Sequence, residues 1–245
     1  FTMLETFKKE GKIRNIGFSF HDDLEAFKKW VDLYNWDFVQ IQLNYMDVNH
    51  QQGMTGYDIL TEKGIPVIIM EPVKGGSLAN FNPVVEKKLL EYSPDNSIAS
   101  WAFRWVGSLP NVKVILSGMS TFEQVEDNIK TFSDFKPLNK EELGLIEETR
   151  KQLLDLTKVD CTSCNYCMPC PHGVNIPGNF RVFNHHSMYK NDRYVNWVVG
   201  ELDKESAFAD KCIDCGECLP KCPQFIEIPQ QLAEFTEYLK VNGLK

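Results

Sequence analysis

Cysteine is missing from most of this 245-residue sequence. The first 160 residues contain none, and all eight cysteines lie between positions 161 and 222. Nothing in the sequence indicates export, and in a reducing compartment clustered thiols are more often metal ligands than disulfide partners. The distribution therefore predicts a metal-binding segment in the last third of the chain.

An excess of positive charge is also missing. The sequence has 26 Lys and Arg against 34 Asp and Glu, which gives a formal net charge of -8. Nucleic acids and anionic membrane surfaces are bound by clustered basic side chains. We therefore expect no nucleic-acid or membrane partner, and favour small molecules or proteins.

The sequence also lacks a membrane-spanning run, a signal peptide and an initial Met. No apolar run approaches the roughly 18 to 20 residues that span a bilayer, and the first residues lack a signal-peptide pattern. We expect a cytoplasmic protein. The sequence opens on Phe1 rather than Met, so we also expect it to begin partway through a longer reading frame.

The part without cysteine alternates short apolar runs with longer amphipathic stretches, which is typical of strand-helix units around a parallel sheet. Largely apolar runs predict strands covered on both faces, at residues 13–18, 38–43, 66–70 and 112–116. Helices are predicted at residues 22–34, 97–106 and 121–132. In the last of these, Thr121 is the expected N-cap with Gln124 as its capping-box partner, and Val125 and Ile129 are expected to face inward.

The composition changes after a charged, periodic stretch at residues 139–157, which predicts a connecting helix. We place a domain boundary near Lys158, giving domains at residues 1–157 and 158–245. Short helices are predicted in the second domain at residues 181–189, 193–202 and 230–239.

Two cysteine motifs dominate the second domain. Cys212, Cys215, Cys218 and Cys222 are followed by Pro223 and have the two, two and three-residue gaps of bacterial ferredoxins, whose thiolates hold 4Fe-4S clusters. Cys161, Cys164, Cys167 and Cys170 are followed by Pro171 and differ only in a last gap shorter by one residue. The motifs predict two 4Fe-4S clusters.

Ligation is expected to be crossed, because in two-cluster ferredoxins the fourth cysteine of each run ligates the other cluster. One predicted set is Cys161, Cys164, Cys167 and Cys222, and the other is Cys212, Cys215, Cys218 and Cys170. Gly216 is expected to let the backbone approach a cluster closely.

Other readings of these cysteines are a pair of structural zinc sites and a set of disulfides. Zinc sites commonly use two separate Cys-x-x-Cys pairs, which four cysteines in one ten-residue run followed by proline fit less well. His172, His185 and His186 lie nearby, and we interpret them as surface or packing residues because eight cysteines already complete two clusters.

Functional groups of barrel enzymes come from the carboxyl ends of the strands. The predicted strands here end in polar or glycine-rich segments, at residues 17–19, 40–44, 71–76 and 117–120. Gly118, Met119 and Ser120 lead into the helix predicted from Thr121, where free N–H groups and the helix dipole suit a phosphate.

The order of these segments resembles the C-terminal half of the aldo/keto reductases, in the subgroup with an appended ferredoxin-like domain. Residues 7–19 resemble the fifth-strand signature of that family, and Val39-Gln40 its sixth strand. Glu71-Pro72 with Gly75-Gly76 resembles the seventh, and residues 116–120 with 124–128 resemble the eighth. The resemblance implies an α/β fold of (β/α)8 TIM-barrel type, with strands five to eight in this chain, and a small, mainly α ferredoxin-like C-terminal domain.

The resemblance also implies a nicotinamide cofactor, NADP or NAD. Ser19 and Gln40 would hold the nicotinamide carboxamide, and Met70 and Glu71 belong to the same cofactor site. Gly118, Met119, Ser120 and Gln124 would meet the adenosine phosphate, and Asn128 would face adenine. Phe20, Met70 and Gln124 replace the Asn, the aromatic residue and the Arg of other members, which leaves the choice of nucleotide open.

The catalytic Asp, Tyr, Lys and His of the family come from strands two to four. We expect them upstream of residue 1, on the same longer chain or on a partner, because a barrel takes about 250 residues and residues 1–157 correspond to its second half. No catalytic residue is assigned here, and Tyr45, Asp47, His50 and Lys74 are given no catalytic role.

Two functions are compatible with these patterns. The first is an NAD(P)H-dependent oxidoreductase that reduces a carbonyl or oxidises an alcohol, with clusters that serve an external electron carrier, sense the redox state or stabilise the fold. The alternative is a non-enzymatic electron-transfer or interaction module with the barrel half as a scaffold. Nucleotide binding discriminates between the two, because only the oxidoreductase requires it.

Overall fold

The computed structural model describes residues 1–244 and divides into two compact units. The first comprises Phe1–Ala79 and Glu86–Arg150, and the second comprises Asn80–Val85 and the chain from Lys151 onward. No helix in the described part of the chain is long and apolar enough to cross a membrane.

The first unit is an α/β structure. Within residues 1–244, four strands form one sheet in the order β1-β2-β3-β4, and every neighbouring pair is parallel. They are β1 (Gly17–Phe20), β2 (Phe38–Gln42), β3 (Val67–Met70) and β4 (Val112–Ile115). The sequence therefore predicted the parallel α/β architecture correctly.

Helices connect and flank the strands of this unit. They are α1 (Thr2–Lys9), α2 (Leu24–Asp32), α3 (Gly53–Glu62), α4 (Pro83–Tyr92), α5 (Ile98–Gly107), α6 (Phe122–Ser133) and α7 (Lys140–Asp155), of which α4 begins and α7 ends in residues of the second unit. Ser97 caps α5 by accepting a hydrogen bond from the Ser100 N–H, which confirms the helix predicted at 97–106.

The core of the first unit lies between the sheet and these helices. Val39, Ile41, Val67 and Ile69 of the two central strands are fully buried, as is Phe27 of α2. Burying a side chain of this size stabilises a fold by about 1.5–3 kcal/mol. The central strands are therefore the best anchored part of the sheet, and this fixes the positions of their carboxyl ends.

The first strand differs from its prediction. The sequence placed it at residues 13–18, but pairing begins at Gly17 opposite Phe38 and continues to Phe20. The Ile16 N–H is donated to the Asp37 carboxylate at 2.7 Å, so the preceding residues lie outside the ladder.

The details of α6 also differ. Thr121 is its N-cap, as predicted, and accepts from the Gln124 N–H. The Gln124 carboxamide oxygen, however, accepts from the Ser120 N–H at 2.7 Å rather than completing a capping box at Thr121. Ile129 is 61% exposed, so the expectation that it faces inward was wrong.

The second unit consists of helices packed behind two cysteine loops. Its helices are α8 (Ile176–Tyr189), α9 (Asp192–Lys204) and α10 (Ile228–Val241), which confirms the three predicted helices with longer bounds. Phe180, Phe208 and Phe235 are fully buried at the centre of its core. Each cysteine loop leads into a helix with proline in its first turn, Pro177 in α8 and Pro229 in α10.

Candidate cluster and cofactor sites

The two cysteine loops share left-handed backbone on both sides of their central cysteine. In the first loop Ser163 (φ 56°) and Asn165 (φ 64°) flank Cys164, and in the second Asp214 (φ 57°) and Gly216 (φ 74°) flank Cys215. Left-handed backbone is tolerated best by Gly, Asn and Asp. The residue types at three of these four positions therefore explain how both loops turn twice around their central cysteine.

Each set of cysteines surrounds a cavity. Cys161, Cys164 and Cys167 line the first together with Cys222 from the other motif. Cys212, Cys215 and Cys218 line the second together with Cys170, and Cys167 also contributes to its wall. The fourth cysteine of each motif thus lies with the first three of the other, which is the grouping that crossed ligation requires.

Two of the thiols, those of Cys167 and Cys218, are partly removed from solvent, whereas Cys164 and Cys215 are exposed. Burial raises the pKa of Cys167, and the neighbouring Cys161, Cys164 and Cys222 raise it further. Burial likewise raises the pKa of Cys218 to about 11. Such thiols become thiolates when a cationic centre binds, so binding releases protons.

The spacing of the cysteine thiols suits a cluster of several atoms rather than a single metal ion. Among residues 1–244, no three His, Cys, Asp or Glu side chains converge closely enough to hold a single metal ion. The cysteines instead surround two spaces with apolar walls that include Ile176 and Ile228 at the first and Val174 and Leu232 at the second. Iron-sulfur clusters fit this donor set.

The three histidines near the motifs pack in different ways. His186 is buried and hydrogen-bonded to the Tyr238 hydroxyl and to Asp192, each at 2.8 Å. His185 stacks on Tyr194 with ring centroids 3.9 Å apart. His172 lines the second cysteine cavity.

A polar cluster forms where β1, β2 and β3 end. Gln40 donates to the Ser19 hydroxyl at 3.3 Å and contacts the Met70 sulfur at 3.6 Å. The three residues come from adjacent strands, and Ser19 lies directly opposite Gln40 in the register. The parallel sheet therefore brings together three of the residues predicted to bind the cofactor.

A cavity of about 690 Å³ opens beside this edge, at the ends of β3 and β4. This volume is within the range of small-molecule sites. Six further predicted residues line it, namely Glu71, Gly118, Met119, Ser120, Gln124 and Asn128. All nine predicted cofactor residues thus fall into two groups at the carboxyl ends of the strands.

The loop after β3 forms one wall of the cavity with an unusual backbone. Glu71 (φ 53°), Lys74 (φ 50°), Gly75 (φ 61°) and Gly76 (φ 93°) all have left-handed conformations. Strained loops of this kind persist where the surrounding contacts determine them and often border ligand sites.

The sequence analysis missed several lining residues. Asp127 lines the cavity and accepts a hydrogen bond from the Ser97 hydroxyl at 2.6 Å. It lies three residues after Gln124, so helical spacing would have indicated its position. Ala99 and Phe103 of α5 also line the cavity, and they carry no sequence signal of a site.

An ion pair connects the loops after β2 and β3. Lys74 Nζ lies 2.6 Å from Asp47 Oδ1, while Gln42 and Asn44 donate to Asp47 Oδ2 at 3.1 and 2.9 Å. Desolvation raises the pKa of Asp47, but the charge and hydrogen bond of Lys74 and the hydrogen bond of Asn44 together hold it below its ordinary value. Asp47 and Lys74 are therefore structural partners in this arrangement.

Comparisons with known proteins identify the family of the first unit and the type of domain that carries the cysteines. The sequence model of the aldo/keto reductase family matches residues 1–151, and that of a 4Fe-4S dicluster domain matches residues 160–226. The chain belongs to the aldo/keto reductase family and carries a 4Fe-4S domain. These matches support the description of the chain as an iron-sulfur, metal-binding member of that family.

Solved structures with similar folds are aldo-keto reductases. AKR11C1 from Bacillus halodurans, in its holo form, is 24% identical with a TM-score of 0.48, over 59% of this chain and 53% of that chain. The thermostable enzyme Tm1743 is 20% identical with a TM-score of 0.47, over 60% of this chain and 53% of that chain. The present chain thus spans about half the length of these structures. No curated protein shows a significant match.

Proposed function

We propose that this chain provides strands five to eight of a (β/α)8 barrel in an iron-sulfur oxidoreductase that uses NADP(H) or NAD(H) to reduce a carbonyl or oxidise an alcohol. One observation carries the proposal: the nine residues expected to bind the cofactor lie in two neighbouring groups at the carboxyl ends of parallel strands. That edge is where barrel enzymes place their functional residues.

The group at the ends of β1 to β3 suits the nicotinamide. The Ser19 hydroxyl and the Gln40 carboxamide, 3.3 Å apart, offer both donors and acceptors to a carboxamide. The Met70 thioether, in contact with both, provides a polarisable surface for a flat ring. The adjoining cavity, with Phe103 and Asn128 in its wall, suits the adenosine portion.

The two cysteine cavities would hold two 4Fe-4S clusters, one on Cys161, Cys164, Cys167 and Cys222 and the other on Cys170, Cys212, Cys215 and Cys218. When bound, such clusters supply one-electron transfer. A nicotinamide exchanges two electrons as hydride, so direct coupling needs a converter such as a flavin. We therefore assign the clusters to exchange with an external electron carrier, and the catalytic acid-base groups to the first half of the barrel.

Calorimetric titration with NADH and NADPH tests the cofactor assignment, on this chain and on the full-length product of its gene. We expect saturable binding by the full-length product and weaker binding in the Ser19→Ala/Gln40→Leu double variant. Ser133→Ala, an exposed serine at the end of α6, is the matched control and should leave binding unchanged. If neither this chain nor the full-length product bound a nucleotide, the oxidoreductase proposal would be overturned and a non-enzymatic module would be favoured.

Iron and acid-labile sulfide analysis of anaerobically prepared protein tests the cluster assignment. We expect about eight iron and eight sulfide per chain, with an EPR signal from interacting clusters after dithionite reduction. Stoichiometric zinc without an EPR signal would contradict it.

A further inference from the structure

A groove of about 500 Å³ lies between the second cysteine loop and α10, within the second unit. Cys212 and Pro229 line both this groove and the second cysteine cavity. A molecule seated in the groove would therefore be separated from a cluster in that cavity by a single ligand residue. Because electron transfer weakens steeply with distance, the groove is well placed for exchange with that cluster.

The surface of the groove suits contact with another protein. Part of its lining is apolar and made of small or compact side chains, namely Ala209, Leu219, Pro229 and Ala233. Ile213 of the same cysteine loop is 64% exposed. Electron-transfer encounters bury less than about 1,200 Å², so a groove with a few apolar residues is sufficient for one.

The groove is also acidic. Of the described residues that line it, Lys240 is the one Lys or Arg, and the acids are Asp210, Asp214, Glu227 and Glu237. Lys240 Nζ lies 3.7 Å from Glu237 Oε2, so its charge is directed at one of these acids. By contrast, none of the described residues lining the first cysteine cavity is charged. Negative charge is therefore concentrated beside the second cysteine cavity.

These acids do not form a site for a metal ion. Among residues 1–244, no three His, Cys, Asp or Glu side chains converge closely enough to hold one. Negative charge spread along a groove is complemented by positive charge spread over a protein surface. The same charge would repel a carrier whose contact surface is acidic.

From the position and charge of the groove we propose that it is the docking site of an electron-transfer protein with a basic contact surface. The cluster that exchanges electrons there is the second cluster, on Cys170, Cys212, Cys215 and Cys218. The inference rests on the proposed function and names the charge of the external carrier and the cluster that serves it. In each encounter one electron passes between the reduced cluster and the carrier, and no bond is formed or broken.

Cytochrome c, a haem protein with a basic contact surface that accepts one electron, is the probe for this inference. Full-length protein is reduced with dithionite, freed of excess reductant and mixed anaerobically with ferric cytochrome c in a stopped-flow instrument. We expect the second-order rate constant to fall as ionic strength rises, because salt screens the attraction. With cytochrome b5, whose contact surface is acidic, the rate constant should rise with ionic strength.

A pair of double variants separates the groove from the overall negative charge of the protein. Glu227→Gln/Glu237→Gln removes two charges from the groove, and Glu201→Gln/Glu205→Gln removes two from the end of α9, outside its lining. The control is closely matched, since Glu201 pairs with Lys204 three residues on as Glu237 does with Lys240. At about 0.1 M ionic strength, where the Debye length is about 10 Å, the groove variant should slow cytochrome c reduction about threefold or more. The control should change it less than about 1.5-fold.

Two cysteine variants test which cluster faces the carrier. Cys164 and Cys215 are the exposed central cysteines of the two loops, and neither lines the groove. Cys164→Ser should retain the second cluster and the salt-dependent reduction of cytochrome c, whereas Cys215→Ser should lose that reaction. Iron analysis and EPR of each variant establish which cluster remains.

Each result decides the matter. Equal slowing by the two double variants, no slowing by either, or loss of the reaction in Cys164→Ser alone would overturn the inference and leave the proposed function intact. Absence of iron from the anaerobic protein would overturn the cluster assignment of the proposed function, and the inference with it.

Discussion

Asp47 is the residue whose surroundings most clearly hold a loop in place. Its carboxylate is 8% exposed and accepts hydrogen bonds from Lys74, Gln42 and Asn44. Lys74 is itself in a left-handed conformation, and it belongs to the loop that lines the cavity at the ends of β3 and β4. The pair thus offsets the conformational cost of that loop and directs the lysine away from the cavity.

Replacing Lys74 by Met tests this account, because it leaves a buried carboxylate without its counter-charge. We expect a loss of about 2–3 kcal/mol in the free energy of unfolding of the first unit. The control Lys28→Met breaks an exposed pair with Glu25 and should cost less than about 0.5 kcal/mol. Four of the five tryptophans lie in the first unit, so urea unfolding followed by fluorescence in a Trp197→Phe background measures this unit alone.

The pH dependence of that loss follows from the lowered pKa of Asp47. A carboxyl with a depressed folded pKa contributes stability above its unfolded value, near 3.8, and loses it as the pH falls through the folded value. In Lys74→Met only desolvation and weaker contacts remain, so the carboxyl protonates more readily in the folded state than in the unfolded chain. The stability gap between the two proteins should therefore narrow between pH 7 and pH 3. A gap independent of pH would contradict the role of the charge.

At the scale of elements, the two cysteine loops are structural repeats. Both have left-handed residues on either side of the central cysteine, and both are followed by a helix with proline in its first turn. Their fourth cysteines nevertheless lie in the cavity of the other loop. Each loop thus supplies the fourth cysteine of the cavity formed by the other.

The left-handed glycine of the second loop can be tested against a glycine in ordinary helix. Gly216→Ala should destabilise the cluster loop by about 1 kcal/mol, because alanine disfavours its φ of 74° although space for a Cβ exists. Gly144→Ala in α7, where a Cβ would meet nothing within 4 Å, should stabilise by about 0.5–1 kcal/mol. Cluster absorbance during guanidinium unfolding reports the first change, and fluorescence in the Trp197→Phe background reports the second. Equal changes in stability for the two variants would show that the backbone conformation of the glycine does not determine the effect of the substitution.

Crossed ligation predicts which cysteine variants are equivalent. Cys222→Ser should leave the same remaining cluster as Cys161→Ser, with matching EPR spectra after reduction, and about half of the iron should be lost. Cys212→Ser should leave the other cluster and a different spectrum. If Cys222→Ser matched Cys212→Ser instead, ligation would not be crossed.

At the scale of the whole molecule, each unit has a core of its own. Val39, Ile41 and Val67 belong to the core of the first, whereas Phe180 and Phe235 belong to that of the second. Six of the eight cysteines belong to the second core or pack against it, namely Cys161, Cys167, Cys170, Cys212, Cys218 and Cys222. Cluster binding should therefore contribute to the stability of the second unit alone.

Removing the clusters by anaerobic oxidation and chelation tests this division. We expect the Trp197 fluorescence of the second unit to show unfolding at a lower urea concentration. The transition of the first unit, followed in the Trp197→Phe background, should keep its midpoint within error. A shared shift would show that the clusters stabilise both units.

Prediction from sequence succeeded where short-range patterns suffice. The strand predicted at residues 66–70 lies within one residue of β3, because an apolar run determines a buried strand locally. Prediction failed where contacts between residues far apart along the chain determine where an element forms. The start of β1 depends on Asp37, 21 residues away, and α3 contains Gly53 and Gly56, so it forms through burial of Tyr57 and Leu60 rather than by propensity.

By itself the sequence determined the eight cysteines, their spacing around two loops, and the order of parallel strands and helices, because each of these is set by residues close together along the chain. Only the tertiary structure decided that Lys74 points to Asp47 and that Asp127 lines the cavity at the ends of β3 and β4. These depend on side chains that lie far apart along the chain or on separate elements. Packing of whole elements brings them together, and the local pattern does not contain that information.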